Sequence, residues 1–264
     1  MSSPSFHFVE GTLPLLISIP HLGTEIPEAQ LARMTPVAAQ SADTDWHLDQ
    51  LYQFARSIGA SILGARYSRY VVDINRPPDD ESLYPGQTKT GLCPVATFRG
   101  EALYQPGCEP TDEERASRVV QYWQPYHDKL ALEIASLRRQ HGAVLLWEAH
   151  SIASHLPRLF PGKLPDLNLG TNAGASCDAA LLDAVEVSLA DCPFSWVANG
   201  RFKGGYITRH YGRPEENIHA IQLEMCQSTY MDESFPFAYL PEPANRVGAV
   251  VERMVRAALG TMRA

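Results

Sequence analysis

The residues Leu145-Leu146-Trp147-Glu148-Ala149-His150-Ser151-Ile152 open as a buried apolar run and then turn to an acid, an imidazole and a hydroxyl. The pattern recurs along the chain. Leu13–Ile19 is followed by His21, the run from Tyr70 to Ile74 carries Asp73 and leads to Asn75 and Arg76, and Ile218–Leu223 is followed by Glu224. Asp43, Asp45 and His47 stand at the start of an apparent helix after the first of these runs. In α/β sheets ligands gather outside the carboxyl ends of strands, so ionisable residues repeated at those ends mark the rim of an active site. Two histidines and a carboxylate bind zinc and leave a position for water, and a separate carboxylate moves protons. His21, Asp45 and His150 are the candidate metal set, Glu224 the proton shuttle and Arg76 an anchor for a substrate carboxylate. Simpler readings stand beside these: a loop histidine bonded to backbone for His21, an acid favoured by a helix N-terminus for Asp45, an N-cap for Asp43, and a turn ion pair with Asp79 or Asp80 for Arg76. Glu224 on an apolar strand is harder to explain away, because a lone buried carboxylate is costly. No local HExxH spacing is present.

A second unusual stretch is Phe202–Pro214, FKGGYITRHYGRP. Lys203, Arg209, His210 and Arg213 make a basic cluster in an acidic chain, and Gly204-Gly205 permits a close backbone approach. The functional reading is an anion-binding loop; the plain one is a solvated loop with scattered charge.

The elements that must position these residues follow from periodicity. Strands are expected at Leu13–Ile19, Ser61–Gly64, Tyr70–Ile74, Ala143–Trp147, Asp166–Leu169, Phe194–Ala198 and Ile218–Leu223. A helix is expected over Thr44–Ser57, where Leu48, Leu51, Tyr52 and Ala55 repeat at helical spacing before Gly59. A capping box at Thr111–Glu114 opens a helix to about Gln140, which Pro125 should kink or split. Further helices fit Asp178–Leu189 and Pro243–Leu259, while residues 79–110 read as a long irregular, lid-like loop. Alternating strands and helices give an α/β class with a central, mixed and mainly parallel sheet flanked by helices, in a single domain over residues 1–264.

The chain has 264 residues and a formal net charge of −8. An acidic balance argues against nucleic acid or an anionic membrane as partner, and leaves a small molecule. The five cysteines form no CxxC pair, which suits reduced thiols in the cytoplasm. No signal peptide is visible, and no apolar run approaches the ~20 residues of a membrane helix. The oligomeric state is not legible.

The segments SIPHLGTEIP, ADTDWHLDQLY, SRYVVDINRP, LWEAHSI, FKGGYITRHYG and IQLEMCQSTYMDE, in this order, resemble the N-formylglutamate amidohydrolase (deformylase) family from about residue 14 to the end of the chain. That family is similar in fold to zinc carboxypeptidases and aspartoacylases. The resemblance implies metal-dependent hydrolysis of N-formyl-L-glutamate to L-glutamate and formate, in histidine degradation. It implies Zn2+ or another divalent metal on His21, Asp45 and His150, with Glu224 as catalytic carboxylate and Asn75-Arg76 on a substrate carboxylate. The relatives draw two ligands from one HxxE motif, whereas His21-Leu22-Gly23-Thr24 has no acid at that place; Asp43, His47 and Glu148 therefore stand beside Asp45 as candidate third ligands. A substrate with two carboxylates wants two cationic clamps, for which Arg76 and the Lys203–Arg213 loop offer themselves. Arg209 or His210 is also a candidate oxyanion donor. The rival readings are a zinc deacylase for another N-acyl amino acid and a non-catalytic binding protein for acidic amino acids.

Overall fold

A computed structural model describes residues 4–82 and 90–262. In chain order its strands and helices are β1 (Phe6–Val9), β2 (Leu15–Ile19), α1 (Glu28–Leu31), α2 (Leu48–Leu51), α3 (Gln53–Ile58), β3 (Ser61–Ala65), α4 (Asp112–Arg118), α5 (Gln124–His141), β4 (Val144–Ile152), β5 (Leu167–Gly170), α6 (Ala179–Ser188), β6 (Trp196–Ala198), α7 (Tyr206–Tyr211), β7 (Ile218–Cys226) and α8 (Pro241–Thr261). The strands form one sheet in the order β1-β3-β2-β4-β7-β5-β6. β3, β2, β4 and β7 run parallel at its centre, β1 is antiparallel to β3, and the parallel pair β5 and β6 runs antiparallel to β7. The expected mixed, mainly parallel sheet flanked by helices is what forms.

Strand alternation divides the core into two layers. Leu15, Ile17, Leu145, Trp147, Ile221 and Leu223 face one way and pack with Leu48, Tyr52, Leu181, Val251 and Val255 of α2, α6, α8 and the α2–α3 junction. Leu16, Val144, Leu146 and Ala220 face the other way and pack with Tyr126, Leu130, Ile134 and Leu137 of α5. On that second face the next positions along β4 and β7 are Glu148 and His150, registered against Gln222 and Glu224. One face of the central strand pair therefore changes from apolar to ionisable partway along.

Four expectations need correction. The run from Tyr70 to Ile74 is buried but forms no strand. The edge of β3 away from β2 is taken by the unforeseen strand β1, and the Tyr70–Ile74 run turns back, with Val71 N–H bonded to Ser68 O. The helix expected over Thr44–Ser57 starts only at Leu48, because His47 has a φ of 62°, and it breaks at Tyr52. The strand expected to end at Trp147 continues to Ile152, since β7 pairs with all of it; Glu148 and His150 thus lie within a strand. Residues 206–211 of the supposed basic loop form the short helix α7.

The capping box forms as expected, with Glu114 N–H donating to Thr111 Oγ1 at 3.3 Å and Thr111 N–H to the Glu114 carboxylate at 3.1 Å. A π turn over Val119–Trp123 then interrupts the helix just before Pro125, whose ring nitrogen has no hydrogen to donate. Of the stretch 79–110, residues 83–89 lie outside the described residues, and the rest is irregular. Among the described residues no helix is long and apolar enough to cross a membrane.

Trp147, fully buried in β4, donates its indole N–H to Tyr52 Oη at 3.0 Å, tying the α2–α3 junction to the sheet. Tyr52→Phe leaves that N–H without an acceptor, which costs about 1–3 kcal/mol. Urea unfolding is expected to show a lower midpoint at unchanged slope; an unchanged midpoint contradicts this role for the contact.

Candidate active site

The end of β2, the turn before α2 and the strand β4 bring His21, Asp45 and His150 together. One ligand atom from each lies within 4.8 Å of the others, and all three residues are buried. The backbone helps to join them, as Asp45 N–H donates to the carbonyl of His21 at 3.0 Å. Asp45 Oδ2 stands 3.1 Å from His150 Nδ1 and 3.7 Å from His21 Nδ1.

Each imidazole is oriented from behind by a carboxylate. His21 Nε2 donates to Asp73 Oδ1 at 2.7 Å, and Asp73 is held in turn by Arg69 Nη2 at 2.6 Å and by the Asn75 N–H at 3.0 Å. His150 Nε2 lies 3.0 Å from Glu148 Oε1, while Glu148 Oε2 accepts from both the N–H and the hydroxyl of Thr208. With the outer nitrogens bonded to carboxylates, both Nδ1 atoms face Asp45. This is the arrangement that fixes tautomer and ring angle in metal-binding histidines.

The residues fit a cation. His21 Nδ1 and Asp45 Oδ1 are buried and have no hydrogen-bond partner among the described residues, an expensive condition for two lone pairs unless something positive sits there. The protein's own charges meet the same need in another way. Burial lowers the His150 pKa, but Glu148 and Asp45 outweigh it and hold the imidazolium well above its usual range. Burial pushes the Asp45 carboxyl up, and the contacts with His150 and His21 more than reverse this, to about 2. Asp73 likewise lies well below the usual carboxylate range, burial being outweighed by Arg69 and His21.

Glu224 behaves oppositely. It stands on β7 directly opposite His150, and burial, with Asp45 and Glu148 nearby, pushes its carboxyl up to about 8. A carboxyl poised near neutrality beside a buried cluster of imidazole and carboxylate groups has the tuning of a proton-transfer group.

The three alternative ligands are used elsewhere. Asp43 accepts the N–H of Phe98 at 2.8 Å, His47 Nε2 donates to Phe237 O at 2.7 Å, and Glu148 stands behind His150 rather than in front of it. Asn75 and Arg76 line the cavity over the cluster, together with Glu224. Asn75 is committed to the scaffold: its Oδ1 accepts from Ile207 N–H at 2.9 Å, and its Nδ2 lies 2.9 Å from His150 Nε2. A Cβ on Gly205 would come within 2.4 Å of that amide, so glycine is required there. Lys203, Arg209 and His210 do not line the cavity. Lys203 and His210 are exposed, His210 stacks on Tyr206 at 4.9 Å, and Arg209 Nε donates to Gly204 O at 2.8 Å.

The cations that do line it with Arg76 are Arg69 and Arg201, neither of which sequence reasoning singled out. Arg69 had a signal, standing four residues before Asp73 in SRYVVDINRP. Arg201 had none, lying one residue outside the stretch that looked unusual.

A mixed α/β sheet with a buried His/Asp/His cluster and a raised carboxyl in the same cavity is the equipment of a hydrolytic enzyme. A profile of the N-formylglutamate amidohydrolase family matches residues 13–231. A curated relative, the N-formylglutamate deformylase of Pseudomonas aeruginosa, is 52% identical over 96% of this chain and 95% of its own. That of Pseudomonas putida is 51% identical over 97% of this chain and 95% of its own. Among solved structures, an N-formylglutamate amidohydrolase of Ralstonia eutropha superposes with a TM-score of 0.81 at 26% identity over 98% of each chain. A gene product of Agrobacterium tumefaciens shares the fold, with a TM-score of 0.73 at 19% identity over 97% of this chain and 95% of its own. The chain belongs to the N-formylglutamate amidohydrolase family.

The cluster is expected to bind about one divalent cation per chain, with His21→Ala and His150→Ala each losing most of it. Asp73→Asn, which removes the charge behind His21, should weaken binding by roughly 10–100-fold. Chelator competition measures this, and an affinity unchanged in all three variants would contradict the assignment of the cluster.

Proposed function

We propose that the chain hydrolyses N-formyl-L-glutamate to L-glutamate and formate, with a divalent metal, most naturally zinc, held by His21, Asp45 and His150. The donor set of two imidazoles and a carboxylate suits zinc. The observation that carries the reading is that one cavity gathers this triad, Glu224 and cationic side chains; the names of the close relatives supply the substrate.

When bound, the metal supplies Lewis acidity, lowering the pKa of a water and polarising the formyl carbonyl. The rest falls to the chain's own groups. Glu224 takes a proton from the attacking water and passes it to the departing amine. Arg69 lines the same cavity, has a buried Nε without a hydrogen-bond partner among the described residues, and is anchored through Asp73; it is the group assigned to the developing oxyanion. The formyl group is too small to grip, so binding must come from the amino-acid part. Arg76, partly exposed and steadied by Thr90 Oγ1 at 3.1 Å, is assigned to the α-carboxylate. Asn75 holds α7 through the Ile207 N–H, and Glu148 holds His150 from behind.

Glu224→Gln keeps the shape but cannot accept the proton. It should lower kcat by roughly 100-fold or more while metal content stays near that of the wild type. The pH profile carries the same assignment. Glu224 works only when ionised, and burial with the neighbouring carboxylates raises its pKa from 4.5 to about 8. Activity should therefore fall as pH drops, with the acid limb between those two values, because a nearby cation favours the ionised form. Glu224→Gln should lack that limb in its residual rate. A variant that loses metal but keeps its rate per bound metal would make Glu224 a ligand instead.

A further inference from the structure

We propose that Arg201 reads the side-chain carboxylate of the substrate and so sets the preference for an N-acyl dicarboxylic amino acid. The inference rests on the proposed deformylase activity and adds to it the residue that selects the amino acid.

The cations lining the cavity among the described residues are Arg69, Arg76 and Arg201. Arg69 is committed, its Nη2 2.6 Å from Asp73 and its guanidinium 4.6 Å over the Phe98 ring. Arg76 and Arg201 are both partly buried and line the cavity with His150 of β4 and Glu224 of β7. Arg76 follows Asn75, which bonds the start of α7, and Arg201 lies between β6 and α7. For a substrate reacting over the triad with its α-carboxylate on Arg76, Arg201 is the further arginine of this cavity that can meet its side chain.

The segment bearing Arg201 is built to be rigid. Asn199, with a φ of 53°, accepts the N–H groups of Thr171 and Ala173 on its Oδ1 at 2.9 and 3.1 Å and donates to Thr171 Oγ1 at 2.8 Å. Asn172 N–H donates to the carbonyl of Lys203, and Gly205 N–H to Gln222 Oε1 at 2.7 Å. Both ends of residues 199–205 are thus tied to β5 and β7. Between them Arg201 and Phe202 line the cavity while Lys203 is exposed. Phe202 meets Phe160 edge-on at 6.5 Å, and with Ile152 and Leu159 they line the same cavity. An apolar wall leading to a guanidinium matches a side chain of methylenes ending in a carboxylate, and arginine's fork suits that terminus.

The test compares kcat/KM for N-formyl-L-glutamate and N-formyl-L-glutamine, which differ only at that carboxylate, using metal-loaded wild type, Arg201→Met, Arg201→Lys, Lys203→Met and Arg209→Met. Wild type should prefer the glutamate substrate by about thirty-fold or more, the low end of what removing one partner of a buried charged pair costs. Arg201→Met should bring the two within about three-fold, through a higher KM for the glutamate substrate, with glutamine turnover and metal content near wild type. Arg201→Lys, which keeps the charge, should retain most of the preference. The proposal is overturned if Arg201→Met keeps the wild-type preference, or if it loses both substrates in equal proportion. It is also overturned if the collapse appears in Lys203→Met or Arg209→Met instead. Wild type inactive toward both substrates would overturn the deformylase reading itself, a result distinct from a failure at Arg201.

Discussion

The Asp45 carboxylate, 1% exposed, stands against the inner nitrogens of two imidazoles. A buried carboxylate in that position is tolerable only if positive charge is held against it. Much of the surrounding architecture serves this one requirement. Asp73 and Glu148 each hold one ring from behind, Arg69 neutralises Asp73, and Thr208 completes the hydrogen bonding of Glu148. Glu148 and Asp45 hold the His150 imidazole well above its ordinary pKa range, so the ring can itself carry positive charge against Asp45. A metal ion would take over that role, and binding would release the proton.

The sheet makes this arrangement affordable. The face of β4 and β7 that carries Glu148, His150, Gln222 and Glu224 is, a few residues earlier, an apolar layer against α5. The other face remains apolar as far as Ala149 and Met225, against the layer that includes α6 and α8. Rigid central strands thus deliver ionisable groups on one side with their spacing fixed by register, while the other side continues to contribute burial. The short helix α7 closes the network. Its first N–H groups go to Asn75 and Glu148, and the Gly205 N–H goes to Gln222, so none of these points to an incoming anion. Part of the basic stretch that looked like an anion loop thus holds Glu148 behind His150, and among the described residues the arginines that line the cavity are Arg69, Arg76 and Arg201.

Much of the site was legible because the groups that do chemistry interrupt apolar runs. His21, His150 and Glu224 each stand within or just after such a run, and the structure gathers them with Asp45 in one cavity. Asp45 was named in the metal set with Asp43, His47 and Glu148 beside it as alternatives; that its carboxylate is the one facing both imidazoles shows only in the structure. The outer partners were also hidden: Asp73 was visible as an acid in an apolar run, but its bond to His21 spans 52 residues of sequence. Strand limits were misjudged for a related reason. Pairing with β7 draws Glu148 and His150 into β4 against their local polarity, and the edge of β3 is paired by β1, a strand the local pattern did not show. In each case a long-range contact overrode a local preference.

Anomalous diffraction from crystals of the metal-loaded protein addresses the placement of the ion directly. The account predicts one strong peak bonded to the Nδ1 atoms of His21 and His150 and to the Asp45 carboxylate, with Asp73 and Glu148 still on the outer nitrogens. A peak on Asp43, His47 or Glu148, or fully active protein with no peak at this cluster, would contradict it.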